Sequence, residues 1–378
     1  MSESLEAIRL RDYVPVSMMT AKVTTVNEPA APIVDAHNHL GRRHGPWRVP
    51  DVPALVSLMD EAGVATIVNL DGGWADDLEA NLDRYDRSYP GRFVTFARLD
   101  WSTCGTPGWG ERLAASMADS VRRGAAGVKI WKDVGLTIRD SDDQLVFLDD
   151  PQLEPLWQVL AETGVPALIH TADPVAFFQP LDGRNERLEE LLRHPDWQFM
   201  GDQYPPLDKI MDAFEAVITS HPTMRVIGAH VGCLAENLDW VESMLDRCPN
   251  YRVDIAARIA ELGRQPRRTK ALIERHPDRV LLGTDCGPPS IDDYRLYLRF
   301  LESDDEAFAY SDEEPPPDGR WTISGLGLPT ELAAAVEGDN ARAFIPALTV
   351  TQAGSAPTRS VHTGSMHTGS TPTTQSAD

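Results

Sequence analysis

The stretch Ile33-Val34-Asp35-Ala36-His37-Asn38-His39 decides how the rest of this chain is read. It is a short apolar, β-branched run that ends in two histidines two residues apart. In an extended strand the side chains at i and i+2 share a face, so both imidazoles aim the same way. Two imidazoles on one rigid face make half of a divalent-metal site. Taken alone, the pair is as well explained by two histidines near a surface turn. The placement of the remaining histidines separates the two readings.

Seven further runs of the same kind follow: Ala65–Leu70, Phe93–Leu99, Ala126–Trp131, Val165–His170, Arg225–His230, Tyr251–Ala256 and Val280–Asp285. They are too short and too uniformly apolar for half-exposed antiparallel strands, and suit strands buried on both faces of a parallel sheet. Helical patterns lie between them. Leu55, Leu58, Met59 and Ala62 repeat at i, i+3, i+4, i+7, with Asp51 as cap and Gly63 just past the end. Leu153, Leu156, Trp157 and Leu160 repeat it behind Asp150 and Pro151, and further helices are expected at about 235–246 and 267–275. Eight strands alternating with helices predict a TIM-like (β/α)8 barrel. No GxGxxG or GxxxxGK[ST] motif opens a helix, which removes the usual reason to prefer an open doubly wound sheet.

In a barrel the strand ends converge on one rim. His170 closes the fifth run, His230 the sixth and Asp285 the eighth. The chain has 10 histidines; four of the eight outside the C-terminal tail fall at predicted strand ends, so chance is a poor explanation. Lys129 sits near the end of the fourth run. Arg42, Arg43 and Arg258 follow the first and seventh and are candidates to clamp a substrate carboxylate. Trp47, Trp131 and the aromatics at 177, 178, 197 and 204 are candidate pocket walls, although aromatic side chains usually belong to the core.

Three regions stand outside the repeat, so the domain reading is an N-terminal extension over 1–30, a barrel over 31–348 and a tail over 349–378. The segment from Thr171 to about Pro206 is longer than a usual βα loop and reads as a lid insertion after strand five, with a helix over 185–193. The tail is rich in Ser, Thr, Gly and Pro, repeats His-Thr-Gly-Ser at 362 and 367, and is expected to be disordered. The formal net charge is −23, which argues against nucleic acid and anionic membranes as partners. No run of about 18 apolar residues predicts a membrane span, and no secretory signal is read at the N-terminus, so a cytoplasmic location is the default expectation. The composition leaves assembly into a homo-oligomer open. Cys104, Cys233, Cys248 and Cys286 show no metal or disulfide spacing, and Cys286, beside Asp285, reads as a small buried filler.

The motif set resembles the amidohydrolase superfamily: HxH after strand one, His after strands five and six, Asp after strand eight. Within it, the amidohydrolase 2 branch, which includes aminocarboxymuconate semialdehyde decarboxylase, is similar in style. The opening 35–41 (DAHNHLG), Gly228–Gly232 (GAHVG), Leu281–Asp285 (LLGTD) and Asp339-Asn340-Ala341-Arg342 carry the likeness, which spans roughly Ile33 to Phe344. The resemblance implies His37, His39, His170 and Asp285 as metal ligands, with Asp285 and His230 catalytic. A second metal would use Lys129, as a carboxylated bridge, and His230; one metal is the favoured reading. Zinc is the expected ion, with manganese or iron also suited to such ligands. The implied reaction on a small molecule is hydrolysis of an amide- or lactone-like bond by metal-activated water. Its rival is non-oxidative decarboxylation of an unsaturated or aromatic acid, and a barrel that has lost its chemistry is a third reading.

Overall fold

The computed structural model describes residues 8–9, 12–13, 15, 17–41 and 49–351. Eight strands form its centre: β1 (Ile33–Asn38), β2 (Val64–Asn69), β3 (Phe93–Arg98), β4 (Gly127–Ile130), β5 (Ala167–Ile169), β6 (Val226–Gly228), β7 (Tyr251–Asp254) and β8 (Val280–Leu281). They pair in sequence order, every ladder parallel. The circuit closes through backbone bonds from Ala36 N to Leu282 O (2.9 Å) and from Asp285 N to His37 O (2.8 Å). The expected (β/α)8 barrel is the observed fold.

Local chemistry explains where the elements start and stop. Helix Val52–Ala62 begins where the Asp51 carboxylate accepts from Ala54 N, and ends at Gly63, whose φ of 73° is left-handed. Asp150 accepts from Gln152 N ahead of helix Glu154–Thr163, as its position before Pro151 predicts. The helix expected from 235 starts instead at Leu238, because Asn237 caps it by accepting from Trp240 N. In the long segment after β5 the helix is Leu188–Arg193, not 185–193. Asn185 is spent on a turn: its Nδ2 donates to Ala176 O (2.8 Å) and its Oδ1 accepts from Arg187 N (2.9 Å). Phe177 and Phe178 are buried inside this insertion and pack on Trp197 and Phe199, so they form its core.

Two apolar layers hold the barrel. One lies between strands and surrounding helices. The other fills the interior with Val34, Ala36, Val68, Val94, Phe96, Leu168, Ile227 and Leu281, and continues into Ala341, Phe344, Ile345 and Leu348. The C-terminal helices Asn340–Phe344 and Pro346–Thr351 thus plug the end of the barrel where the strands begin. The last helix runs to Thr351, past the expected boundary at 348; residues 352–378, with the expected disordered tail, lie outside the described residues. The N-terminal segment is tied down by Thr24, whose N and Oγ1 both bond to Asp305 at 2.7 Å.

Candidate metal centre

The strands end earlier than their apolar runs. His39, Trp131, His170, His230 and Asp285 all lie just beyond them, in the loops at the C-terminal rim. At the sixth and eighth runs the reason is backbone conformation. His230 (φ 57°), Val231 (φ 61°) and Asp285 (φ 61°) are left-handed, which breaks the ladder and turns the side chains over the barrel mouth. For a β-branched valine this is a costly conformation, about 1–3 kcal/mol, of the kind held at functional sites by the packing around it. Glycine makes room below: a Cβ on Gly283 would lie 2.7 Å from the Cβ of His37.

His37 Nε2 lies 3.4 Å and His39 Nε2 3.2 Å from Asp285 Oδ1. Each imidazole is oriented through its other nitrogen: His37 Nδ1 meets Asp254 Oδ2 at 2.9 Å, and His39 Nδ1 lies 3.2 Å from Asp71 Oδ1. This is the pattern expected of metal-ligating histidines, whose far nitrogens are held by carboxylates. His37, His39 and Asp285 bring three donor atoms within 4.8 Å of one another, and the set suits a divalent ion. A second grouping, His37 with His230 and Asp254, meets the same distance. Its carboxylate is already engaged: Asp254 Oδ1 accepts from His230 N (2.9 Å) and Ala256 N (3.1 Å) while Oδ2 holds His37. It orients ligands and is not available as one.

His230 lies beside this triad, its ring 4.7 Å from that of His37 and its Nε2 3.8 Å from Asp285 Oδ2. His170 is 4.4 Å from His230 ring to ring, but its Nε2 is turned to Asp173 Oδ1 (3.2 Å) and it does not join the three-donor group. Lys129 reaches in from β4, with Nζ 3.1 Å from His37 Nε2. Arg258 is buried next to the site. Arg42, Arg43 and Trp47 lie outside the described residues. Trp131 does belong to the centre, its ring 5.0 Å from His39 and 4.6 Å under the Arg98 guanidinium.

Burial and charge set the protonation. Burial opposes ionisation of Asp285, but the His37 and His39 contacts outweigh it and hold the carboxyl well below its usual range. Burial lowers His170 to about 4, with Asp173 offsetting only part. His230 is held well below 6.5 by burial, with His170 and Arg258 adding to it. Lys129 is pushed down to about 8 by burial, against the Asp285 and Asp254 charges. Cys286 is pushed up by burial, which disfavours the thiolate, as expected of a filler, and all four cysteines are free.

Asp71, Asp173 and Asp254 were not singled out in the sequence. Asp254 ends the seventh strand and Asp71 follows the second, so the rule that picked out His170 and Asp285 would have found both.

An eight-stranded parallel barrel with buried histidines and aspartates gathered at its C-terminal rim defines a barrel enzyme with its active site there. The chain belongs to the amidohydrolase family, whose sequence profile matches residues 34–347. Among curated proteins, none matches the sequence. Solved structures with a similar fold include a 2,6-dihydroxybenzoate decarboxylase from Rhizobium (16% identity, TM-score 0.51, covering 84% of this chain and 99% of that one). A dihydroxybenzoic acid decarboxylase from Polaromonas, with bound manganese and 2-nitroresorcinol, gives 16%, 0.51, 84% and 97%. A 5-carboxyvanillate decarboxylase from Novosphingobium aromaticivorans, with bound manganese, gives 13%, 0.50, 86% and 100%. At these identities the likeness is one of fold. No described helix is long and apolar enough to cross a membrane.

Proposed function

We propose that this protein is a metal-dependent decarboxylase of a small aromatic or unsaturated carboxylic acid. The observation that carries the reading is Arg258, which is 8% exposed and forms no ion pair among the described residues. Its Nη1 donates to Ala257 O at 2.6 Å. Burial works against its charge, but Glu261 and Glu236 outweigh burial and keep it a cation. With those glutamates acting from a distance, no carboxylate among the described residues occupies the guanidinium fork itself, and a planar substrate carboxylate matches it. The decarboxylase activities of the similar folds support the same substrate class.

His37, His39 and Asp285 would hold the ion, with zinc and manganese the two occupants to test; bound there, it would act as a Lewis acid toward a substrate oxygen. Trp131 offers a flat wall for an unsaturated ring. His230 Nδ1 faces Ala256 O at 2.8 Å, and a carbonyl only accepts, so Nδ1 carries the hydrogen. That leaves the Nε2 lone pair facing Asp285 Oδ2; both groups rest unprotonated, so the pair would relay a proton that enters with the substrate acid or from water. As CO₂ leaves, the electron pair of the broken C–C bond stays on the substrate carbon and takes that proton.

Hydrolysis is the second reading, favoured by Lys129. A lysine amine 3.1 Å from His37 Nε2 would repel a metal as a cation, but would supply a bridging oxygen pair if carboxylated. The deciding experiment loads the protein with Mn²⁺ or Zn²⁺ and follows CO₂ release from 2,6-dihydroxybenzoate and related hydroxybenzoic acids, beside hydrolysis of lactones and amides. Decarboxylation is expected, with Arg258→Met lowering kcat/KM by about 30-fold or more, as for a buried charge pair losing one partner. Hydrolysis without CO₂ release, two metals per chain, and half that content in Lys129→Ala would overturn it in favour of the second reading.

A further inference from the structure

At the opposite end of the barrel, where β6, β7 and β8 begin, three half-buried arginines come together. Arg225 precedes β6, Arg252 lies in β7 and Arg279 precedes β8. Arg225 and Arg252 line a cavity of about 360 Å³ together with Thr223, Asp278, Asn340 and Phe344, the last belonging to the C-terminal plug. Both guanidiniums lie over the Phe344 ring, at 5.5 and 4.8 Å.

The cluster is short of negative charge. Among the described residues its one ion pair is Arg252 Nη2 with Asp278 Oδ2 at 3.1 Å, and the Asp278 side chain is 68% exposed. The other hydrogen bonds are to backbone carbonyls: Arg225 to Phe344 O (3.0 Å), Arg252 to Pro249 O (2.9 Å) and Tyr251 O (3.1 Å), Arg279 to Tyr251 O (2.8 Å) and to Cys248 O. Arg252 Nε is buried with no partner among the described residues. Burial, then the Arg279 charge, pushes the Arg252 pKa down to about 10, which marks three cations held close without enough counter-charge. In a chain of net charge −23, acidic partners were plentiful elsewhere.

We propose that this cavity is a binding site for a small oxyanion of the phosphate class, held by Arg225 and Arg252 and separate from the metal centre. Planar guanidiniums pair with such anions bidentately, and a dianion would neutralise the local excess. Carbonyl capping alone accounts for the ordered backbone, but not for the unsatisfied Arg252 Nε or for the cavity.

The test titrates inorganic phosphate into the His37→Ala/His39→Ala protein, so that the metal centre cannot take the anion, and reads binding by calorimetry and ³¹P line width. One phosphate per chain is expected, with a rise in Tm that chloride at matched ionic strength does not give. Sulfate, also a dianion, should compete. Arg225→Met should weaken binding by about tenfold to a hundredfold, the loss expected for charge-assisted hydrogen bonds. Arg252→Met should do the same, and if it fails to fold, Arg225→Met carries the test. No saturable binding at millimolar phosphate, or equal binding in Arg225→Met, would overturn the site.

Discussion

At the scale of single residues, the centre depends on side chains that never touch substrate. Asp254 serves His37 Nδ1 with one oxygen and the backbone N–H groups of His230 and Ala256 with the other. An asparagine has one acceptor oxygen, so whichever way its amide turns, one set of donors loses its partner. Asp254→Asn is therefore expected to weaken metal binding by about 10- to 100-fold, measured by competition with a chelator. Affinity equal to wild type would remove Asp254 from this role. Gly283→Ala should expel the metal while the circular dichroism stays native, because the new methyl would occupy space held by His37. The HxH pair, His230 and Asp285 were readable as a group because residues closing parallel strands must share a rim. That His170 turns to Asp173 instead of the three-donor group depends on rotamer and neighbours, which no spacing in the chain encodes.

At the scale of elements, a buried ion cluster fastens the insertion to the barrel. Arg187, just ahead of helix Leu188–Arg193, bonds Glu190 at 2.7 Å, meets Glu261 in the turn Ile259–Leu262, and lies 3.3 Å from Asp318 in the segment after helix Ile291–Glu302. Removing Arg187 leaves three acidic groups without their ion-paired cation. Arg187→Met is expected to cost about 3–5 kcal/mol in urea unfolding, and a loss below about 1 kcal/mol would mean that water already shares the cluster. An acid pair elsewhere sets a pH dependence. Glu337, buried between the segment before β1 and helix Ile291–Glu302, accepts from Ala31 N and shares a hydrogen bond with Glu302. Burial raises its pKa from 4.5 to about 7, and Glu302 adds to the rise. The folded chain thus favours the protonated carboxyl: that contribution is full below pH 4.5 and is lost as pH rises through about 7. This contribution should fall between about pH 4.5 and 7 in the wild type, level off above that, and fall less in Glu337→Gln; identical slopes would refute it. The capped starts at Asp51 and Asp150 were legible because caps act within one turn. The delayed helix at Leu188 was not, since Asn185 is diverted by a carbonyl nine residues back.

At the scale of the molecule, the two ends of the barrel do different work. The rim where the strands end carries the polar centre, and the other end is stoppered by Ile345, Phe344 and Leu348. Ile345→Ala should cost about 2–5 kcal/mol of stability, seen as a lower urea midpoint, while leaving metal content unchanged. A loss of metal at full stability would contradict that separation. The apolar strand runs, their alternation with helices and the residues closing them lie in the order of the chain, so the barrel and most of its rim followed from local pattern and from the burial that parallel strands require. Which imidazole each orienting carboxylate holds, the left-handed turns at His230 and Asp285, the C-terminal plug and the gathering of Arg225, Arg252 and Arg279 were decided only in three dimensions. Each depends on contacts between segments far apart in the sequence, and such contacts leave no periodic trace in either of them.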